Sequence, residues 1–207
     1  MGYVQISLDC PGCEEAVQLS KLAIEAGVHW LEAGTGLLLG SGLEGIRVLR
    51  REFPNMPIIA DTKIMDGGYP LSKWCGRAGA DYAVVMSAAG EHVIRGALRW
   101  RDEFGTKIMV DTMYEPNQLD ACRRMEDLGV DYLVLHLGLE ERAVELVSLV
   151  QVTVKRHLAS SDAEFAIFVS DPEHTAFSLD GVDNHRRAMT CPAIDVRAVQ
   201  GIDASHE

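Results

Sequence analysis

Basic residues are scarce in this chain: 19 Lys and Arg stand against 31 Asp and Glu in 207 residues, a formal net charge of −12, with an isoelectric point near 5.0. Nucleic acids and anionic membrane surfaces are recognised by clustered Lys and Arg that displace counterions, so this shortage argues against both and leaves a small metabolite as the expected partner. Long apolar runs are missing too. No stretch approaches the ~20 residues of a membrane span. The N-terminal "MGYVQISLDC" lacks the charged-then-apolar layout of a signal peptide, so a cytoplasmic protein is expected. Cysteines are few: Cys10, Cys13, Cys75, Cys122 and Cys191 are an odd number at irregular spacing, which argues against structural disulfides. Linkers, low-complexity tracts and charge blocks are absent as well. With 47% hydrophobic residues the chain can build one sizeable core, and a single domain over 1–207 is expected.

What is present is a repeat. "AGVHWLEAG" from Ala26, "AGADYAVVM" from Ala78 and "LGVDYLVLH" from Leu128 share one pattern, with Gly27, Gly79 and Gly129 lying 52 and 50 residues apart. Each glycine follows an amphipathic helical stretch, where a residue of positive φ ends a helix, and each opens an apolar run that reads as a strand. Further strands, "PIIADTK" and "TKIMVDT", fall between the copies, so β/α units recur about every 25 residues, with strand centres near 6, 31, 60, 84, 109 and 134. "EFAIFVS" (164–170) and "AIDVRAV" (193–199) are candidates for strands 7 and 8. The expected fold is therefore α/β, a (β/α)₈ TIM-type barrel with atypical, incomplete last strands and no closing helix. An open doubly wound sheet is the alternative, disfavoured by the unbroken spacing and the lack of a G-x-G-x-x-G turn after strand 1.

Strand parity then assigns faces. In "YVQISLD", Val4, Ile6 and Leu8 form the helix-facing side, while Gln5, Ser7 and Asp9 face the pore. Asp61 and Lys63 on strand 3 share the pore face with Glu32 of strand 2, Asp111 of strand 5 and His136 of strand 6, all in the last residues of their strands. Buried charges are costly unless paired or bound to a metal, and barrel active sites lie at the carboxyl ends of the strands, so this convergence reads as a site. For single members there are plainer readings: Asp9 as a helix N-cap, Glu32 as a solvated loop residue, His136 as a core histidine, Asp61 with Lys63 as a structural ion pair.

The residues that carry these charges resemble the orotidine 5′-monophosphate decarboxylase suprafamily: Leu8-Asp9, "EAGT" at 32–35, "ADTKIMDGG", "VDT" at 110–112 and "HLG" at 136–138, with D-x-K-x-x-D as the specific part. Within it the pattern is most similar to 3-hexulose-6-phosphate synthases, with 3-keto-L-gulonate-6-phosphate decarboxylases as close relatives, over residues 3 to about 142. The resemblance implies a Mg²⁺-dependent carbon–carbon lyase acting on a sugar phosphate through a metal-stabilised enediolate. It implies Glu32 and Asp61 as metal ligands, and Lys63 as a second positive charge that holds or delivers a proton. His136 is then a candidate base, Asp9 orients Lys63, and Asp111 belongs to the same constellation. Asp66 reaches the neighbouring site of a homodimer. Phosphate would be held after strands 7 and 8, where only Gly201, with Arg197 near it, is available, and where "SDPEH" places Asp171 and Glu173 against an anion. That departure keeps a second class open, a barrel that binds or scaffolds without turnover. "CPGC" at Cys10–Cys13 between strand and helix is a weaker pointer to a redox site.

Overall fold

The computed structural model of the protein describes residues 2–136, Gly138 and two strands at 151–155 and 165–169. Eight strands follow one another around a closed barrel: β1 (Gly2–Leu8), β2 (Trp30–Ala33), β3 (Ile58–Ile64), β4 (Tyr82–Met86), β5 (Lys107–Asp111), β6 (Tyr132–His136), β7 (Gln151–Lys155) and β8 (Phe165–Val169). Between them run α1 (Cys13–Glu25), α2 (Thr35–Ser41), α3 (Leu43–Glu52), α4 (Gly68–Ala78), α5 (Glu91–Phe104) and α6 (Gln118–Leu128). Neighbouring strands from β1 to β6 pair in parallel, with Gln5 opposite Trp30, Leu31 opposite Ile58, Ile59 opposite Tyr82, Tyr82 opposite Lys107 and Met109 opposite Tyr132.

The closing strands correct the sequence expectation. Segment 164–170 does hold a strand, but as β8, parallel to β1. The seventh place is taken by Gln151–Lys155, which runs antiparallel to both β6 and β8. Its "VTV" core is the β-branched signal of a strand. The barrel lies within the compact unit Met1–Glu173. Segment 193–199, Arg197, Gly201, Asp171 and Glu173 all lie outside the described residues.

Two apolar layers follow from strand parity. Outward-pointing Leu31, Ile58, Ala60, Ala83, Val85, Ile108, Val110 and Leu133 pack under the helices with Ile46, Leu49, Ile94 and Ala97, most of them fully buried. Burial of each such Ile, Val or Leu is worth about 1.5–3 kcal/mol. Inward-pointing Trp30, Ile59, Tyr82, Val84, Met109, Tyr132 and Val134 fill the pore. At its lower end Tyr3 stacks on Trp30 and Trp30 on Tyr82, with Tyr132 edge-on to both Trp30 and Tyr82. The aromatic plug closes the pore from below.

The repeat has a structural meaning at this lower end. His29, Asp81 and Asp131 occupy the same place in their copies, and each side chain accepts the N–H of a residue at or near the start of the preceding strand: Val4 at 3.1 Å, Ile58 at 2.7 Å and Ile108 at 2.9 Å. Arg50 joins Asp81, and Arg101 joins Asp131 at 3.4 Å. Both guanidiniums also donate to the carbonyl of the glycine that ends a helix, Gly79 at 2.9 Å and Gly129 at 2.6 Å. Those glycines have φ of 110° and 82°, a region in which a side chain would be strained.

Candidate functional site

The site is built around an irregularity in β3. Pairing with β4 runs Ala60 to Ala83 and resumes at Ile64 to Val85, so four steps on β3 match two on β4. Such a bulge lifts residues off the ladder and re-aims their side chains. Lys63 takes a φ of 42° there, a conformation uncommon for residues other than glycine and often found where function demands it. The Thr62 hydroxyl donates to the Val84 carbonyl at 3.2 Å, which stitches the bulge back to β4. Asp61 and Lys63 are thereby brought together: the ammonium donates to both carboxylate oxygens, at 2.9 Å and 2.8 Å.

Neighbouring strands add further acids. Glu32 and Asp61 are only 4% and 7% exposed, and Asp111 is fully buried. Glu32 is held from both sides, one oxygen accepting from the Gln5 amide and the other from the Ser7 hydroxyl at 2.9 Å. Ser7 also lies 2.8 Å from Asp9. Burial first, then the Asp61 carboxylate, push the Glu32 carboxyl well above its usual range; Lys63 and Ser7 pull the other way, and Asp9 adds to the rise. Burial works against the Lys63 ammonium, but Asp61, Asp111 and Glu32 outweigh it and the net displacement is upward. Asp111 accepts from the Met113 N–H at 2.8 Å and meets His136 Nδ1 at 2.7 Å. An ionised Asp111 can only accept, which assigns the proton to Nδ1 and leaves Nε2 as the basic nitrogen.

The structure thus gathers Glu32, Asp61, Lys63, Asp111 and His136 at the carboxyl ends of the strands. Asp9 is exposed and joins through Ser7 to Glu32; among the described residues Lys63 is paired with Asp61 and Asp111, and the hydrogen bonds of Asp9 run to Ser7 and Gly36 instead. Nor does Asp9 cap α1, whose N-cap is Gly12. It accepts instead from the Gly36 N–H at 3.3 Å, at the start of α2. The close approach needs glycine, since a Cβ on Gly36 would stand 2.2 Å from the Asp9 carbonyl. Asp66 stands apart, exposed, with its carboxylate on the Gly67 N–H at 2.7 Å before α4.

Four side chains matter that the charge pattern did not single out. Thr35 donates to Asp61 at 2.7 Å across 26 residues. Gln5 and Ser7 fix Glu32, and pore-face parity already put both on the right side. Gln118 of α6 donates to the His136 carbonyl at 2.7 Å and steadies the end of β6. Cys10 and Cys13 of "CPGC", by contrast, are free, and burial followed by Glu15 pushes the Cys10 thiol up, away from the thiolate a redox site needs.

As a donor set, Glu32 and Asp61 are hard oxygens beside each other in a buried pocket that carries surplus negative charge. No group of three or more His, Cys, Asp or Glu arranged to hold a metal occurs among the described residues. Two carboxylates with water or substrate completing the shell suit Mg²⁺, which is commonly held in that way. The residues present therefore fit the ion.

The chain is 33% identical over 141 residues to the 3-hexulose-6-phosphate synthase of Bacillus subtilis (strain 168), covering 68% of this chain and 66% of that one. It is 30% identical over 141 residues to a 3-keto-L-gulonate-6-phosphate decarboxylase of Salmonella typhi, covering 68% and 64%. The chain thus spans just under two thirds of the length of these relatives. Among solved structures, 3-hexulose-6-phosphate synthase from Salmonella typhimurium superposes with a TM-score of 0.66 at 29% identity, over 69% of this chain and 67% of that one. No helix among the described residues is long and apolar enough to cross a membrane. Residues 2–172, from β1 to just beyond β8, match the Orotidine 5′-phosphate decarboxylase / HUMPS family, and the chain belongs to that family.

Proposed function

We propose that this protein is a Mg²⁺-dependent carbon–carbon lyase for a sugar phosphate, working as a 3-hexulose-6-phosphate synthase that joins formaldehyde to ribulose 5-phosphate. The observation that carries the reading is the pair Glu32 and Asp61, both buried at the pore mouth with a single ammonium beside them. Glu32 and Asp61 would hold the metal. When bound, Mg²⁺ supplies Lewis-acid stabilisation of the negative charge that develops on adjacent substrate oxygens during proton removal.

The chain's own residues do the rest. His136, its Nδ1 proton held by Asp111, presents Nε2 to take the proton from the substrate carbon beside the carbonyl. That carbon then attacks formaldehyde, and the new alkoxide takes up a proton, for which Lys63 is the nearest donor in the cluster. Gln5, Ser7 and Thr35 keep the carboxylates in place, so the geometry is set before substrate arrives. The aromatic plug under Ile59 and Met109 denies solvent an approach from below.

A homodimer is part of the proposal. Asp66 points away from the cluster on the exposed loop after β3, and Met65 beside it is 53% exposed while Leu39 on α2 is 83% exposed. Apolar side chains at that exposure support a covering partner, with Asp66 contributed to the other subunit's site. A second reading, decarboxylation of 3-keto-L-gulonate 6-phosphate, is supported by the decarboxylase relative at 30% identity over the same length. Formaldehyde consumption with ribulose 5-phosphate and Mg²⁺, run beside CO₂ release from 3-keto-L-gulonate 6-phosphate, separates them. The proposal expects the first. CO₂ release alone makes the chain a decarboxylase, and neither signal makes it a binding or scaffold barrel.

A further inference from the structure

Among the described residues the mouth holds three buried carboxylates and one ammonium, and the position of that ammonium bears on metal loading. Lys63 Nζ covers both oxygens of Asp61, and Oδ2 also takes the Thr35 hydroxyl, so the in-plane acceptor sites of Asp61 facing the pore are largely committed. A divalent cation that takes Asp61 meets a positive charge within about 3 Å of the same oxygens, a strongly repulsive arrangement in a buried pocket. Asp111 offers a second berth. Its Oδ2 lies 3.7 Å from Nζ, just beyond a hydrogen bond, and among the described residues its buried carboxylate is hydrogen-bonded to the Met113 N–H and His136. The bulge in β3 makes the exchange short, since Lys63 needs only rotations of its side chain to pass from one acceptor to the other.

We infer that Lys63 is the resident counter-ion of the metal site: its ammonium competes with the metal for Asp61 and is received by Asp111 when the metal binds. The inference rests on the metal reading of Glu32 and Asp61. It makes Asp111 more than the partner of His136, because loading the site depends on a place for the displaced charge.

Metal affinity tests it directly, with Mg²⁺ followed by titration calorimetry and Mn²⁺ by the electron paramagnetic resonance of the free ion, on the full chain previously stripped with chelator. Lys63→Met removes the competitor and should tighten both metals by about tenfold or more. Asp111→Asn removes the berth and should weaken them by about tenfold. In the Lys63→Met background, Asp111→Asn should change affinity by less than about twofold, since the two residues act through one exchange. Unchanged or weaker binding by Lys63→Met overturns the inference, and so does an equal loss from Asp111→Asn in both backgrounds, which is plain charge removal. Should Lys63→Met fail to fold without metal, wild-type crystals grown with and without Mg²⁺ decide: Nζ moving from Asp61 to hydrogen-bond Asp111 supports the exchange, and Nζ staying on Asp61 beside bound metal overturns it. A wild type that takes neither metal overturns the metal reading itself, and the inference falls with it.

Discussion

Both ends of this barrel carry charged residues, and they differ in how completely those charges are matched. At the amino ends of the strands, all three nitrogens of the Arg50 guanidinium are committed, to the carbonyls of Gly79, Pro54 and Met56 and to Asp81, while Asp81 also takes the Ile58 N–H. Arg101 repeats the scheme with Gly129, Asp102 and Asp131. At the carboxyl ends, Glu32, Asp61 and Asp111 share, among the described residues, the one ammonium of Lys63. The cleft of about 610 Å³ found in the described residues lies at the amino end, lined by Arg50, Met56, Phe104 and Lys107 among others. On the function proposed above, a cation and a reacting substrate belong at the end with the unmatched charge rather than in this cleft.

The contrast breaks most sharply at Asp61. Asp61→Asn should lower Mg²⁺-dependent turnover by ~10³-fold or more while shifting the melting temperature little, because it relieves a surplus of negative charge. Steady-state rates and a thermal melt check both parts. A step down, Thr35→Val removes the hydroxyl that fixes Asp61 and should weaken Mg²⁺ binding about 10–100-fold, the usual cost of losing a group that orients a metal ligand; calorimetric titration reads it.

At the other end the signature inverts. Arg50→Met should cost about 2 kcal/mol and lower the melting temperature by roughly 4–8 °C, with kcat/KM within about twofold of wild type. Loss of activity without loss of stability would place Arg50 in a site and undo the comparison. The smallest effect concerns pH. The Glu32 carboxyl is raised in the folded protein, so its protonated form contributes stability that is fully present below the ordinary carboxylate range and is lost as pH rises through the folded value. With chelator present, Glu32→Gln should therefore match wild type near pH 4 and melt higher than wild type at neutral pH. Each unit of displacement corresponds to about 1.4 kcal/mol, and saturating Mg²⁺ should reverse the order.

Much of this contrast was legible in the residues. Period-two parity alone put Glu32, Asp61, Asp111 and His136 on the pore face, because side-chain direction in a strand is fixed by position. Parity put Lys63 there as well, but the bulge and positive φ that bring it beside Asp61 leave no mark in "ADTKIM". Thr35 could not be found that way, since it belongs to the first turn of a helix and reaches Asp61 only through the closure of β2 against β3. The plainer reading of Asp9, a cap on the helix of "PGCEEA", is not what forms: the helix it serves is α2, brought near by two glycines that permit close approach, Gly36 at Asp9 and Gly40 at Pro11. The closing strands mark the limit of periodicity: "QVTVK" reads as a strand, but its antiparallel direction depends on the connection before it and not on its own five residues.

Deuterium exchange at the carbon beside the carbonyl of ribulose 5-phosphate, followed by proton NMR in D₂O with Mg²⁺ and no formaldehyde, tests most directly whether the unmatched charge is the working end. Proton removal there is the first step assigned to the mouth, and it needs no second substrate. The account predicts Mg²⁺-dependent exchange in wild type and in Arg50→Met, and its loss in Asp61→Asn and His136→Asn. No exchange by wild type, or exchange that survives in Asp61→Asn and disappears in Arg50→Met, would contradict it.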